Sequence, residues 1–179
     1  MRNKPARTLI VLGSGGHTAE MVEIVKNLDK TKYTPRVYVV ANTDKTSKNK
    51  IKNIEEALSD KSFELYEIHR SREVKQNYFS SVFSTLLAIL SAFPLIYKIQ
   101  PDLVLCNGPG TCVPICLVAF LFRKMHIIPK SCKIVFLESY CRVNTISLTG
   151  KILLHIVDMF VVQWPQLESG KTQYLGKLM

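Results

Sequence analysis

A glycine-rich segment, Gly13–Thr18 (GSGGHT), carries the strongest chemical signal in this sequence. Its glycines allow a tight turn and a close approach of the backbone to a ligand, and free N–H groups at the start of a following helix favour an anion. The segment is not the dinucleotide fingerprint, because Thr18 stands where that motif has its third glycine, and it lacks the Gly-Lys-Ser/Thr of a Walker loop. His17 fits a general base, a hydrogen-bonding partner of a phosphate, or a helix cap. A tight turn without a ligand is the alternative interpretation.

Three further loops place polar or charged residues after predicted strands. Asn107–Thr111 (NGPGT) combines two glycines with a Thr N-cap, which would build a second helix start able to accept a phosphate or a hydroxyl, or would simply turn the chain. Glu138–Arg142 (ESYCR) offers a carboxylate and a guanidinium, which suit sugar hydroxyls and a phosphate or pair with each other. Arg70–Glu73 (RSRE) adds two cations, or forms a solvated turn.

Composition limits the classes of protein that need to be considered. The chain has 179 residues, enough for one domain, and 47% of them are apolar, so a substantial core is expected. The net charge of +10, from 24 Lys+Arg against 14 Asp+Glu, favours an anionic partner such as a phosphate ligand or a membrane, or reflects an inert basic surface. No nucleic-acid-binding module is recognisable, so nucleic acid is not expected as a partner. The five cysteines form no C-x-x-C pair and indicate buried thiols in a reducing compartment.

Apolar runs and helical stripes alternate along the chain. The predicted strands are Thr8–Leu12, Arg36–Ala41, Ser62–Ile68, Asp102–Cys106, Lys133–Leu137 and Asp158–Gln163. The predicted helices are Thr18–Leu28, Thr43–Leu58, Phe79–Phe93, Thr111–Phe122 and Asn144–His155. Such alternation predicts an α/β fold with a doubly wound parallel sheet, whose ligands bind beyond the carboxyl ends of the strands. The four loops described above all follow strands, so we expect them at one edge of the sheet.

Two uncharged stretches, Gln76–Tyr97 and Leu103–Phe122, approach the length of a membrane span. The first contains Pro94 and several polar residues, and the second contains the turn Asn107–Gly110, so neither is predicted to cross a membrane. The first stretch nevertheless carries an apolar stripe at helical spacing. The members of this apolar stripe are Phe79, Val82, Phe83, Leu86, Leu87, Leu90 and Phe93.

Five segments taken together resemble one family. They are Gly13–Glu20 (GSGGHTAE), Arg70–Val74 (RSREV), Cys106–Pro114 (CNGPGTCVP), Glu138–Val143 (ESYCRV) and Gln163–Pro165 (QWP). In this order they resemble the membrane-recruiting subunit of the eukaryotic N-acetylglucosaminyltransferase that makes chitobiosyldiphosphodolichol, and the resemblance covers nearly the whole chain. More distantly, the glycine-rich loop with its His and the Glu after the fifth strand are similar to the acceptor half of the bacterial transferase that makes peptidoglycan lipid II.

The resemblance implies a fold, a reaction and a partner. Residues 1–179 would form a single acceptor-binding, Rossmann-like domain, the amino-terminal half of a two-domain GT-B type glycosyltransferase. A separate soluble chain would bind UDP-N-acetylglucosamine, and the complex would transfer N-acetylglucosamine to the 4-hydroxyl of dolichyl-diphosphate-linked N-acetylglucosamine on the cytosolic face of the endoplasmic reticulum. The tail near residues 172–179, with Tyr174, Leu175 and Gly176, would contact the partner chain. No cofactor is implied.

We expect an inverting transfer in which His17 or Glu138 removes the proton from the acceptor hydroxyl. The residues expected to bind the acceptor and its diphosphate are Gly13, Ser14, Gly15, Gly16, Thr18, Arg72, Asn107, Gly108, Gly110, Thr111 and Arg142. No metal site is expected, and the Asp-x-Asp motif of metal-dependent transferases is missing from the sequence.

Members of this family commonly carry a transmembrane anchor before the first strand, whereas the first strand predicted here begins within ten residues of Met1. We therefore consider the apolar stripe, together with Arg70, Arg72, Lys75 and Lys98, as a surface that touches lipid. The alternative, preferred for most of the stripe, is that it forms the core face of a helix.

Two other functions remain open at the level of the sequence. The chain could be a scaffold that only recruits the donor-binding subunit to the membrane, with all chemistry in that subunit. A nucleotide-dependent oxidoreductase or epimerase is disfavoured by the missing third glycine and by Ala41-Asn42 at the end of the second strand, where an acidic residue is required.

Overall fold

The computed structural model describes residues 4–57, 63–71, 76–108 and 110–176. Within these residues, seven strands form one sheet in the order β3-β2-β1-β4-β5-β6-β7, and every pairing between them is parallel. The strands are β1 Thr8–Val11, β2 Arg36–Ala41, β3 Phe63–Ile68, β4 Leu103–Asn107, β5 Lys133–Leu137, β6 Met159–Val162 and β7 Thr172–Tyr174. The helices are α1 Gly16–Asn27, α2 Lys45–Ala57, α3 Tyr78–Ile99, α4 Cys112–Lys124 and α5 Leu148–Leu153. The predicted doubly wound parallel sheet is therefore confirmed.

The order of the strands creates a switch point between β1 and β4. The chain moves outward from β1 through β2 to β3 and then returns to place β4 on the other side of β1, where Thr8 pairs with Leu103 and Val11 with Cys106. The loops that leave β1 and β4 diverge there, and this opening is where doubly wound sheets bind their ligands.

Alternate side chains of the strands supply two cores. Leu9 and Val11 of β1 face the layer formed by α3, α4 and α5, whereas Ile10 and Leu12 face α1 and α2. The first layer holds α4 between α3 and α5. Because both faces of the sheet are covered, the inner strands are continuous apolar runs, which is the pattern that identified them in the sequence.

The apolar stripe lies mostly on the outside of α3, so the preferred prediction of a core face is wrong for most of its described members. Val82 is 70% exposed and Phe83 65% exposed, and Leu86 and Leu90 are exposed as well, whereas Phe93 packs against the core. The side chain of Phe79 lies outside the described part. The core face of α3 consists instead of residues that bring this helix close to α4 and the sheet: Ala88, Ala92, Leu95, Ile96 and Ile99.

Helix α3 runs without interruption through Pro94. By length and composition alone it is apolar enough to cross a membrane, but its buried face holds it in the first core layer. The second uncharged stretch is divided into β4, a turn and α4, as predicted.

Strand β7 was not predicted. It has only three residues, Thr172–Tyr174, and pairs with β6 at the edge of the sheet. The connection from β6 contains a short 3₁₀ turn, Pro165–Leu167, instead of a helix. A strand this short, without an apolar run, gives no periodic signal in the sequence.

The five cysteines, all within the described residues, are free thiols, and all but Cys141 are buried. Cys106 and Cys116 lie with their sulfurs 3.3 Å apart in the first core layer. Burial raises the pKa of the Cys106 thiol well above its ordinary value, so this thiol stays neutral. The prediction that the cysteines act as small buried hydrophobes is confirmed for these core positions.

Candidate functional site

The glycine-rich loop joins β1 to α1 at the switch point. Gly15 has a positive φ of 63° and occupies the N-cap position, and α1 begins at Gly16. A residue with a side chain would be strained at the φ of Gly15. Thr18 was predicted to bind phosphate, but it is 1% exposed and its hydroxyl group bonds the Gly13 carbonyl and the Ser47 hydroxyl. Thr18 therefore stabilises the glycine-rich loop through buried hydrogen bonds and does not face the cavity.

His17 is held in a defined orientation by Asn107 at the end of β4. Asn107 Nδ2 donates a hydrogen bond of 2.8 Å to Glu20 Oε2, because a carboxylate only accepts. The Asn107 Oδ1 atom is then left as the acceptor, 3.1 Å from His17 Nδ1. In the neutral imidazole, this arrangement favours the ring proton on Nδ1 and leaves Nε2 with a lone pair. The imidazole is thereby prepared to accept a proton at Nε2.

Glu20 is a residue of this site that the sequence prediction missed. Its Oε1 atom accepts a hydrogen bond of 2.9 Å from the Ser139 hydroxyl, and its Oε2 atom lies 3.8 Å from His17 Nδ1. Burial disfavours the charged carboxylate, but hydrogen bonds with His17, Asn107 and Ser139 outweigh burial and hold the pKa of Glu20 below its ordinary value. The one available signal was its spacing of three residues from His17, which puts both on one face of α1.

Gly108 provides the surface on which the His17 ring lies. A Cβ atom at Gly108 would lie 2.3 Å from His17 Cε1 and Nδ1, and the φ of Gly108 is +67°. The ring therefore occupies the space that any side chain at this position would need.

With His17 as the base, one of the two expected from the sequence, we expect Gly108→Ala to displace its ring and to lower kcat at least about tenfold, because a misplaced catalytic group loses much of its rate advantage. The matched control is Gly170→Ala, since Gly170 also has a positive φ, of +55°, but its Cβ would meet no atom within 4 Å. Both variants carry similar backbone strain, and only the first touches His17. Steady-state kinetics of the assembled enzyme tests the prediction, and equal kcat values for the two variants would contradict it.

Glu138 is buried at the end of β5 and organises the loop that follows. Its Oε1 atom accepts the Ser139 N–H at 2.9 Å, and its Oε2 atom accepts the Ser147 N–H at 2.8 Å. A Cβ atom at Gly150 would lie 2.6 Å from Glu138 Oε2, so the carboxylate is tightly enclosed. Both carboxylate oxygens thus hold backbone N–H groups of the segment between β5 and α5.

Arg70 and Arg142 are cationic side chains at this edge of the sheet. Arg70 donates to the hydroxyls of Ser14 and Thr43, each at 3.2 Å, and so reaches the glycine-rich loop. Arg142 is exposed and lines the same opening from the β5 side. Arg72, predicted to bind phosphate, lies outside the described residues.

One large cavity of about 1300 Å³ joins these features. It brings together seven of the residues predicted from the sequence, namely Ser14, Gly16, His17, Gly108, Gly110, Glu138 and Arg142. Gly13 and Thr111 line a small neighbouring pocket. Asn107 and Thr18 do not line the cavity, but their hydrogen bonds hold Glu20 and the glycine-rich loop in place. Thr111 precedes α4 as predicted, but its side chain makes no capping hydrogen bond. In the part of the chain that the structure describes, no three His, Cys, Asp or Glu side chains gather in a way that would hold a metal ion.

Comparison with known proteins identifies the family. Residues 8–178 match the family described as "Oligosaccharide biosynthesis protein Alg14 like". This chain belongs to that family. The UDP-N-acetylglucosamine transferase subunit ALG14 of Rattus norvegicus is 51% identical over 180 residues, covering 96% of this chain and 82% of the rat protein. The human subunit of the same name is 47% identical with the same coverage, and the Saccharomyces cerevisiae subunit is 34% identical over 98% of this chain and 78% of its own length.

Solved structures of other proteins share the fold of this chain. MurG of Acinetobacter baumannii has a TM-score of 0.65 at 17% identity, and the similarity covers 96% of this chain but only 45% of the MurG chain. A UDP-N-acetylglucosamine 2-epimerase has a TM-score of 0.58 at 16% identity, with 89% and 40% coverage. The domain thus corresponds to about half of such a protein. The predicted Rossmann-like half of a GT-B type fold and its distant bacterial likeness are confirmed.

The carboxyl-terminal residues predicted to contact a partner lie at the edge of this domain. Tyr174 ends β7 and Leu175 is exposed beyond it, while Gly176 has a φ of +91°. Among the described strands β7 is the last in the sheet order, so one of its sides pairs with β6 and the other is an edge.

Proposed function

We propose that this chain is the acceptor-side subunit of a UDP-N-acetylglucosamine transferase that adds the second N-acetylglucosamine to dolichyl-diphosphate-linked N-acetylglucosamine. The observation that carries the proposal is the position of His17, held by Asn107 and Glu20 at a cavity that also contains a glycine-rich helix start. Relatives that share 34% and 51% identity with this chain are named as subunits of a UDP-N-acetylglucosamine transferase. A base next to an anion-binding helix start suits an acceptor with a hydroxyl nucleophile and a diphosphate.

In the proposed mechanism, the diphosphate lies against the N–H groups of Gly15 and Gly16, with Arg142 adding positive charge. His17 Nε2 takes the proton of the acceptor 4-hydroxyl as its oxygen attacks the anomeric carbon. The new glycosidic bond forms while the bond to the UDP phosphate breaks, and UDP leaves with the electron pair. Glu20 stabilises the imidazolium, which then releases its proton to solvent.

Between the two candidate bases, the contacts favour His17. Glu138 uses both carboxylate oxygens to hold the N–H groups of Ser139 and Ser147, and its residue surface is fully buried. We therefore assign Glu138 to shaping the cavity wall and not to proton transfer.

A partner chain supplies the donor site in this proposal. The domain has the extent of about half of a MurG chain, so a second domain that binds UDP-N-acetylglucosamine would close over the cavity. The single domain of residues 1–179 would meet that partner through its tail at residues 172–179, including Tyr174, Leu175 and Gly176. The assembled enzyme would work at the cytosolic face of the endoplasmic reticulum.

The proposal is tested by co-purifying this chain with the donor-binding subunit and measuring transfer from UDP-N-acetylglucosamine to a lipid-linked N-acetylglucosamine diphosphate. We expect a complex, and transfer only when both chains are present. Activity of the donor-binding subunit alone would favour the scaffold alternative, and absence of both complex and transfer would refute the proposal.

We also propose that the exposed apolar stripe contacts the membrane. Val82, Phe83 and Leu90 present large apolar side chains to solvent on one side of α3. Lys98 lies at the end of the same helix, with its Nζ atom 4.9 Å from the centre of the Tyr66 ring. Apolar side chains flanked by cations favour an anionic lipid surface.

Replacing Phe83 and Leu90 together by serine is expected to reduce flotation of the chain with anionic vesicles at least about tenfold, because each loses an apolar contact worth roughly 1.5–3 kcal/mol. Met125→Ser is the matched control, since Met125 is also an exposed large apolar side chain but lies beyond the end of α4. Failure of the wild-type chain to bind anionic vesicles, or equal flotation of all three proteins, would rule out this surface.

A further inference from the structure

The cavity at the proposed acceptor site continues into a groove between α3 and α5, and we propose that this groove binds the first isoprene units of the acceptor lipid. The inference rests on the proposed function, because it assigns a place to one part of the proposed substrate. Val82 and Leu86 of the apolar stripe also line this cavity, whereas Phe83 and Leu90 lie outside it and would meet the bilayer itself.

Helices α3, α4 and α5 form the groove. Helix α4 lies between the other two and packs against both, so α3 and α5 rise as walls and the first turn of α4 forms the floor at Val113. Leu86 and Ile89 line the α3 wall, and Leu148 and Ile152 line the α5 wall.

Polarity changes along the cavity from one end to the other. At the sheet edge the lining contains His17, Glu20 and Arg142, together with the glycine-rich helix start. Toward the other end, the described lining residues come from α3, α4 and α5, and none of them is charged. Leu148 is 57% exposed and Ile152 45% exposed, which leaves apolar surface uncovered next to a polar site. A ligand that covers both ends must be an amphiphile with a polar head and an apolar tail, and the glycine-rich helix start together with Arg142 suits an anionic head.

The size and surroundings of the cavity favour a lipid tail over a second polar group. Its volume of about 1300 Å³ exceeds the ~300–1,000 Å³ typical of small-molecule sites, which leaves room beyond a sugar diphosphate. The stripe residues Phe83 and Leu90 lie on the same helix α3 that forms one wall. A chain leaving the groove along α3 would therefore pass into the bilayer without crossing water.

The test compares two acceptors in the assembled enzyme in detergent solution, where attachment to a bilayer no longer matters. One acceptor carries a long polyisoprenyl chain and the other a single prenyl unit on the same N-acetylglucosamine diphosphate. We expect the wild-type enzyme to have the lower KM for the long chain. Ile152→Gln should raise the KM for the long chain about tenfold, the size expected when one aliphatic side chain loses its buried contact. The KM for the single prenyl unit should stay unchanged.

Leu148→Gln is a second groove variant with the same expectation, and Met125→Gln is the matched control because Met125 is an exposed apolar residue beyond the end of α4 that does not line the cavity. Unchanged kinetics with the short acceptor also shows that each variant is folded and assembled. Equal KM values of the wild-type enzyme for both acceptors, or an equal rise of both in the groove variants, would overturn the inference and leave the proposed function standing. Absence of transfer to either acceptor would refute the proposed function and this inference with it.

Discussion

Replacing His17 by alanine is expected to lower kcat of the assembled transferase by about 10²–10⁴-fold, the usual contribution of a positioned general base. The ring is oriented by Asn107 Oδ1 at 3.1 Å, so its Nε2 atom is the one that can accept the hydroxyl proton. Complex formation should persist, because His17 is a partly exposed side chain at the cavity and not part of the core. Single-turnover kinetics with saturating donor and acceptor measures the effect.

Glu20→Gln is the companion variant for this prediction. It keeps the shape of the side chain but removes the charge that stabilises the imidazolium, so kcat should fall by less than in His17→Ala while KM for the acceptor changes little. Glu23→Gln serves as the control, since Glu23 lies on the same helix and pairs only with Lys26 at the surface among its described contacts. A near-normal kcat for His17→Ala, with the complex intact, would remove His17 as the base and favour a scaffold.

Replacing Glu55 by glutamine is expected to destabilise the folded chain by about 3–5 kcal/mol, because it removes the carboxylate that pairs in a bidentate way with a buried guanidinium. Arg36 donates from Nε to Glu55 Oε1 at 2.8 Å and from Nη2 to Oε2 at 2.6 Å, and the Tyr38 hydroxyl also bonds Oε1. Arg36 is 1% exposed and Glu55 is fully buried. Burial, together with the neighbouring Glu55 carboxylate, raises the pKa of Tyr38, so its hydroxyl remains a donor.

Urea denaturation of the isolated chain measures this change in the free energy of unfolding. Glu56→Gln is the matched control, because Glu56 is the exposed neighbour of Glu55 on α2 and its substitution should change the free energy by no more than about 0.5 kcal/mol. Replacing Arg36 and Glu55 together by Met and Leu should cost less than Glu55→Gln, since both charges of the buried ion pair are then removed. Equal unfolding midpoints for Glu55→Gln and Glu56→Gln would contradict the prediction.

The sequence by itself determined the architecture and the edge of the sheet at which function lies. Apolar runs such as Arg36–Ala41 and stripes such as that of α1 are local signals, and six of the seven strands within the described residues were predicted from them. Parallel strands joined by crossovers place all their carboxyl ends on one side. For this reason the loops at Ser14, Gly108 and Glu138 could be assigned to one site before any distance was known.

Only the tertiary structure decided how the site works. His17 and Asn107 are 90 residues apart, and Glu20 and Ser139 are 119 apart, so their hydrogen bonds depend on the pairing of β1 with β4 and of β4 with β5. The close approach of His17 to Gly108 has the same origin. The spacing of three residues from His17 places Glu20 on the same helix face, but no local pattern predicts that Asn107 and Ser139 hold its carboxylate. Nor does any local pattern predict that Glu138 is bound by two backbone N–H groups.

The orientation of α3 was also decided by packing. Periodicity reports which side chains share a face of a helix, but the neighbours determine which face is buried. In α3 two faces are apolar, and the face with Ala88 and Ala92 packs inward because it allows close contact with α4, so the larger side chains of the stripe point outward. Local periodicity thus determined the elements of this protein, whereas contacts between residues distant in sequence decided the arrangement around His17, the cavity and the exposed apolar surface.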